Sequence, residues 1–394
     1  MTDFDQIVSR IGTYSTQWDY VQDRFGEKGL LPFSISDMDF KIPKGTQEVL
    51  TDAVKRGVFG YTRWNHSDFK GAIASWFSRH FQTIVAEDWI VYSPSVIYSL
   101  SVFLQLLSEP GGKVVTLTPC YDAFFKTVAE NKQALISVSL KKETGFQINF
   151  EELAEVFEKE RPEIFLLCNP HNPTGRAFNQ EELTTLIELC NQYQVGIISD
   201  EIHMDIRRKG VFHHPIVTFA DKLKVPVVLL SSASKTFNSP GMGCSYAIVP
   251  DRTLRESFLT VLKNKDGLSS VPYLGMLALQ DCYNYQQKWL AELNSYLDDT
   301  FLMLTDRLAE HPYISAYIPE ASYLAWLDLS RLPVSMDELQ KILIHQEKVA
   351  IMRGDTYGKE GKKYLRFNLG APRDKISDGL ERLLRAVQKS SINH

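Results

Sequence analysis

Four times between residues 113 and 238, a short apolar run stops abruptly at a cluster of polar, proline and glycine residues. KVVTL (113–117) ends at TPCYDAF (118–124) and IFLLC (164–168) at NPHNPTG (169–175). GII (196–198) ends at SDEIH (199–203) and VVLL (227–230) at SSASKTFN (231–238). Short apolar runs bounded in this way predict strands buried on both faces. WIVYS (89–93), LISVSL (135–140) and YAIV (246–249) predict further strands.

Segments of helical spacing lie between them: SVIYSLSVFLQLL (95–107), AFFKTVAENK (123–132) and FEELAEVFEK (150–159). A further helix opens at Asn179 with Glu182 three residues on, a capping box, and runs to about Gln194. Strands alternating with helices predict an α/β fold with a mostly parallel central sheet flanked by helices. In such a sheet, ligands bind beyond the carboxyl ends of the strands, where these four clusters converge.

The pattern changes after about residue 285. A long helical stretch (289–311) leads into the strand SYLAWLDLS (322–330). A helix capped by Ser335, the strand KYLRFNL (363–369) and a last helix follow, which predicts a smaller α+β domain. With 394 residues, the expected division is a large domain over 46–280 and a small one built from 1–45 plus 281–394. The first 45 residues look irregular and are expected to pack across the large domain or a second subunit.

Composition narrows the function classes. Lys and Arg total 43 against 48 Asp and Glu, so the net charge is −5. A mildly acidic chain lacks the basic footprint of nucleic-acid or anionic-membrane binding, and no nucleic-acid or membrane partner is expected. No basic stretch followed by an apolar one marks the start of the chain, and no apolar run approaches a membrane span. Cys120, Cys168, Cys190, Cys244 and Cys282 show no CxxC spacing, which predicts free thiols in a reducing, cytoplasmic setting.

The chemistry follows from residue types at the strand ends. Lys235, just beyond a buried strand, is placed to have a lowered pKa and to form a Schiff base. Asp200 suits a position under a heteroaromatic nitrogen, keeping it protonated so that the ring withdraws electrons. Asn172 suits a ring phenolic oxygen, and Tyr121 suits the ring face. The helix start at Val96 and Ile97 suits a phosphate, with Ser232 adding a hydroxyl. His203 joins this cofactor set.

Arg366, in an otherwise apolar strand, suits a two-pronged grip on a carboxylate. Taken singly, each has an ordinary reading as a surface lysine, a cap, a core tyrosine or a turn. S-x-x-K alone recurs at Ser67–Lys70 and Ser139–Lys142, where nothing follows from it. The joint order Tyr121, Asn172, Asp200, Lys235, Arg366 is what carries weight. His203 and Asp205 beside Asp200 lack metal-ligand spacing, so no metal is expected.

These motifs resemble the fold-type I enzymes that use pyridoxal 5'-phosphate (PLP), in the class I/II aminotransferase group, over essentially the whole chain. NPHNPTG, SDEIH and SASKTFN carry the resemblance. SDMDF (36–40), FGYTRW (59–64), KNKDGLSS (263–270) and GDTYG (354–358) are similar to the MalY/PatB branch of cystathionine β-lyases. The resemblance implies an aspartate-aminotransferase-like fold, PLP as cofactor, and Lys235, Asp200 and Tyr121 as catalytic residues.

It also implies Arg366 as the anchor for the substrate α-carboxylate, with Asp37 and Tyr61 near the substrate. Tyr61 would reach the phosphate of a neighbouring subunit, making the active enzyme a homodimer. Many aminotransferases carry a phosphate-binding Arg eight residues beyond the lysine; here Gly243 stands there. The implied activity is α,β-elimination of sulfur amino acids (L-cystathionine, L-cystine or L-cysteine) to pyruvate, ammonia and a thiol or hydrogen sulfide. Transamination with a 2-oxo acid and a regulatory binding role are the alternatives.

Overall fold

A computed structural model describes residues 2–392, Ile392 by its backbone alone. Seven of the predicted strands form one sheet. In chain order they are β1 (Ile90–Ser93), β2 (Lys113–Thr118), β3 (Ala134–Ser139), β4 (Ile164–Cys168), β5 (Gly196–Asp200), β6 (Val227–Ser231) and β7 (Ser245–Ile248). Across the sheet the order is β1-β7-β6-β5-β4-β2-β3. Neighbours from β6 to β3 pair in parallel, as the sequence predicts, while β7 runs antiparallel to both β6 and β1.

The reversed β7 has a consequence for the site. Its amino end lies at the same edge as the carboxyl ends of the other strands. Residues 243–245 therefore reach the edge that the motifs share, although no strand-end motif in the sequence marks them.

Strands β1, β4, β5, β6 and β7 are buried along their whole length, which explains their unbroken apolar runs. The edge strand β3 is mostly half-buried, with Val138 alone fully buried. Helix Gln180–Tyr193 begins with the predicted box: the Asn179 side chain accepts from the Glu182 backbone, and the Glu182 side chain accepts from the Asn179 backbone. The core of the sheet is aromatic where its flanking helices meet. Trp76 stacks on Tyr283, and its Nε1 donates to Asp205 Oδ1 at 2.9 Å.

A second, antiparallel sheet has the order Met352–Arg353, Tyr364–Asn368, Leu324–Asp328, Ser315–Ala316. It packs against helices Gln287–Leu308 and Arg373–Ile392 around a separate core that includes Phe33, Phe301, Leu327, Leu365 and Phe367.

The N-terminal segment departs from the irregular expectation. Val21–Phe25 is a short helix, and Leu31–Pro32 pairs in parallel with Val349–Ala350. The reason is local: the buried Val21 and Leu30 cover Ala350 in a small apolar cluster of their own. From there residues 34–38 cross between the two sheets. Among the described residues, no helix is long and apolar enough to cross a membrane.

Candidate active site

The strand ends meet around one cavity. Its walls include Val96, Ile97, Tyr121, Asn172, Asp200, His203, Ser232 and Lys235, eight residues that the sequence singles out. Val96 and Ile97 open the helix Val96–Leu107, whose cap Ser95 accepts from the Tyr98 backbone N–H. The start of that helix lines the cavity, and a helix start favours an anion.

Ser232 Oγ donates to the Cys244 carbonyl at 2.8 Å and accepts from Ser234 N at 3.1 Å, which fixes the turn before Lys235. Gly243 also lines the cavity, in the left-handed conformation (φ 60°). Among the described residues lining the cavity, Lys235 is the one Lys or Arg side chain.

Lys235 Nζ donates to the Ser36 carbonyl at 2.6 Å and to Ser36 Oγ at 3.2 Å. Burial lowers its pKa from 10.5 to about 8; Arg366 pushes the same way, while Asp37 and Asp200 oppose. Asp200 is buried, and the one bond to its carboxylate is from Ile202 N at 3.2 Å. Loss of water raises its pKa from 3.8 to about 7. His203 lines the same cavity, its pKa lowered to about 3 by burial and then by the charges of Lys235 and Arg366, so the ring is neutral. The buried His203 Nδ1 has no partner.

The Asp200 shift makes a prediction for the cofactor-free protein. A carboxyl whose folded pKa is raised contributes stability that is full below about 4 and lost as pH rises through about 7. Asp200→Asn removes the charge without removing the side chain. The variant is expected to be more stable than the parent by roughly 1–3 kcal/mol at pH 8. At pH 4 the difference should be close to zero. Thermal melts across this range test it, and a pH-independent difference would count against an unpaired buried carboxylate.

Asn172 Oδ1 accepts from Arg366 Nη1 at 3.1 Å. This orients the amide so that Nδ2 turns away from Arg366. Arg366 lies in the second sheet, is buried, and also donates from Nη2 to the Ser34 carbonyl at 2.9 Å. Its guanidinium lies 4.7 Å from the Tyr357 ring centroid, and the buried Nε has no partner. The cavity therefore gathers an amine, a buried acid, an amide, an aromatic ring, a helix start and, at its border, a guanidinium.

Besides Arg366 at its border, two predicted residues lie outside that wall. Asp37 lines an adjoining cleft that also reaches Lys235. Tyr61 is fully exposed, in a different cleft with Arg63 and Lys263. Sequence reasoning missed Ser34 and Ser36, whose carbonyls hold Arg366 and Lys235, and Tyr323, whose hydroxyl donates to Ser36 O at 2.8 Å. Backbone acceptors leave no signature in residue type. Cys168 and Cys244, two of the thiols that the sequence predicts to be free, form part of the wall.

The family profile described as "Aminotransferase class I and II" matches residues 28–383. The chain belongs to that family. It is 42% identical over 390 residues to protein MalY of Escherichia coli K12, covering 98% of this chain and 99% of the relative. It is 34% identical to the cystathionine beta-lyase PatB of Bacillus subtilis, covering 98% and 99%. Among solved structures it is similar to the PLP-bound C–S lyase of Staphylococcus hominis, with TM-score 0.90, 28% identity and 98% of each chain covered. The resemblance carried by the strand-end motifs, including its MalY/PatB branch, thus holds over nearly the full length.

Proposed function

We propose that the chain is a PLP-dependent carbon–sulfur β-lyase that converts L-cystathionine, L-cystine or L-cysteine, with water, to pyruvate, ammonia and a thiol or hydrogen sulfide. The cavity fits such a cofactor. A buried acid without a cation partner awaits a protonated ring nitrogen, and a helix start with Ser232 awaits a phosphate. An unpaired amide face and a tyrosine ring lie between them. When bound, the cofactor supplies an electrophilic carbonyl and an electron-accepting ring.

With the cofactor bound, Asp200 would hold the proton on its ring nitrogen, Asn172 Nδ2 would donate to its ring oxygen, and Tyr121 would cover its ring face. His203 packs beside Asp200 and keeps water from it. Arg366 binds the substrate α-carboxylate with its free Nε–H edge. Lys235 Nζ, neutral above about pH 8, takes the proton from the substrate Cα, after which the thiolate leaves from Cβ.

The observation that carries elimination over transamination is the full-length similarity to a cystathionine beta-lyase. The named side chains serve both reactions equally. The deciding assay is pyruvate formation from L-cystathionine or L-cysteine with PLP and no 2-oxo acid. Pyruvate without a 2-oxo acid is the expected result. Turnover that needs one would replace the lyase with a transaminase, and no turnover of either kind would favour a binding protein.

We take the active unit to be a homodimer in which Tyr61 serves the neighbouring site. The exposure of Tyr61 together with Val58 and Phe59 supports this. We take residues 46–280 as the cofactor domain and 1–45 plus 281–394 as the second; the separate core around Phe367 and Leu365 supports that division. A cytoplasmic setting is supported by the cysteines, all five free and buried.

A further inference from the structure

We propose that the cleft between the N-terminal segment and Lys235 is a second substrate subsite, which takes a β-substituent ending in both an ammonium and a carboxylate. This rests on the elimination reading above and extends it to the part of the substrate beyond the sulfur.

The layout runs along one stretch of backbone. Arg366 Nη2 is bonded to Ser34 O at 2.9 Å, Lys235 Nζ to Ser36 O at 2.6 Å, and Arg10 Nη2 to Asp37 Oδ2 at 2.5 Å. A chain advances at most ~3.6 Å per residue, so these anchors span no more than about 11 Å along it. Their order is the carboxylate-binding guanidinium, the reacting amine, then a charged pair. A substrate with its α-carboxylate on Arg366 and its Cα at Lys235 carries its β-substituent onward to Asp37 and Arg10. Those two residues, with Lys235 and Asn238, line a cleft of about 580 Å³, ample for that substituent.

The chemistry of the cleft is incomplete in a specific way. Arg10 donates to Met38 O, Asp39 Oδ1 and Asp37 Oδ2, using three of its five N–H groups. The Nε–H and one Nη2 hydrogen are without a partner among the described residues. Asp37 Oδ1 is buried and accepts nothing from the described residues. A buried carboxylate oxygen without a donor is a cost that a ligand ammonium removes. The unused guanidinium hydrogens suit a carboxylate.

The two charges are held ready. Asp39, which fixes Arg10, is itself bonded by Lys375 Nζ at 2.5 Å and Trp18 Nε1 at 2.9 Å. Little freedom is lost when a ligand arrives. The distal end of an amino acid joined through a thioether or disulfide meets both needs at once. A plain alkyl thioether meets neither, and a site built for charged partners rejects the analogue that lacks them.

The test compares L-cystathionine with S-propyl-L-cysteine, which has the same thioether and carbon chain without the distal charges. For the PLP-loaded protein, kcat/KM for pyruvate formation should favour L-cystathionine at least tenfold, mainly through KM. Arg10→Gln and Asp37→Asn should each cut that ratio at least fivefold, and Asp37→Glu should restore part of it. Calorimetric titration of the inactive Lys235→Ala protein should show the same preference as binding. A wild-type ratio near one, or a ratio unmoved by both substitutions, overturns the subsite while leaving the lyase standing. Pyruvate from neither thioether overturns the lyase and the subsite together.

Discussion

Lys235→Ala is expected to lower kcat for pyruvate formation by at least about 10³-fold and to abolish the visible absorbance of lysine-bound cofactor. The expectation follows from position and environment. In the described structure Lys235 is the one amine on the cavity wall, and burial holds its pKa near 8, so a useful neutral fraction exists at neutral pH. Its Nζ points at the Ser36 carbonyl, which accepts a hydrogen bond and cannot replace it as a base. Asp200, the other cavity group with a pKa near neutrality, is committed to the ring nitrogen in the proposed reading. His203 is neutral, but burial, and then the charges of Lys235 and Arg366, hold its pKa near 3, too weak a base to take a carbon-bound proton. Steady-state kinetics with a coupled pyruvate assay, run beside a cofactor absorbance spectrum, gives the answer. Retention of a tenth of the parental kcat would remove Lys235 from the chemistry.

Arg366→Ala is expected to cost roughly 2–4 kcal/mol in kcat/KM, about 30- to 900-fold, by removing one partner of a buried charge-assisted pair. The guanidinium is nearly enclosed, so little water is available to take its place at a bound carboxylate. The loss should not be confined to KM. Arg366 also holds Asn172 Oδ1 and Ser34 O, so its removal loosens the Asn172 amide on the cavity wall and the segment that carries Ser36. A parallel drop in kcat, partly restored by Arg366→Lys, is the expected pattern. Kinetics at saturating and limiting L-cystathionine separate the two contributions, and an unchanged kcat/KM would take Arg366 out of the site.

Much of this centre is legible in the amino-acid order alone. The buried strands announce themselves because burial on both faces tolerates little but apolar side chains, and their ends are marked by residues that a buried strand rejects. Lys235, Asp200, Asn172 and Tyr121 stand out by that contrast, and they do share one wall. The antiparallel direction of β7 is not legible, since a strand's residues do not encode which way its neighbour runs. Nor is the role of residues 34–38. They contribute carbonyl groups, which every residue possesses, and are fixed from afar by Tyr323, Asn238 and by Asn368, whose Nδ2 donates to Ile35 O and Asp37 O. The partners lie some 200 to 333 positions away, beyond any local pattern.

The crossing segment has a consequence for how the molecule is made. Ser34 leaves the ribosome early, yet Arg366, which grips its carbonyl, is 332 residues further on. At roughly 5–20 residues per second of synthesis, the two are separated by about 15–65 s. The central sheet, complete by Ile248, can assemble on the nascent chain during that interval, while the N-terminal strap has nothing to bind at its outer edge. Lys235 therefore acquires its finished surroundings only as translation ends, and a chain truncated before the last strand would carry the cofactor motifs without a working centre.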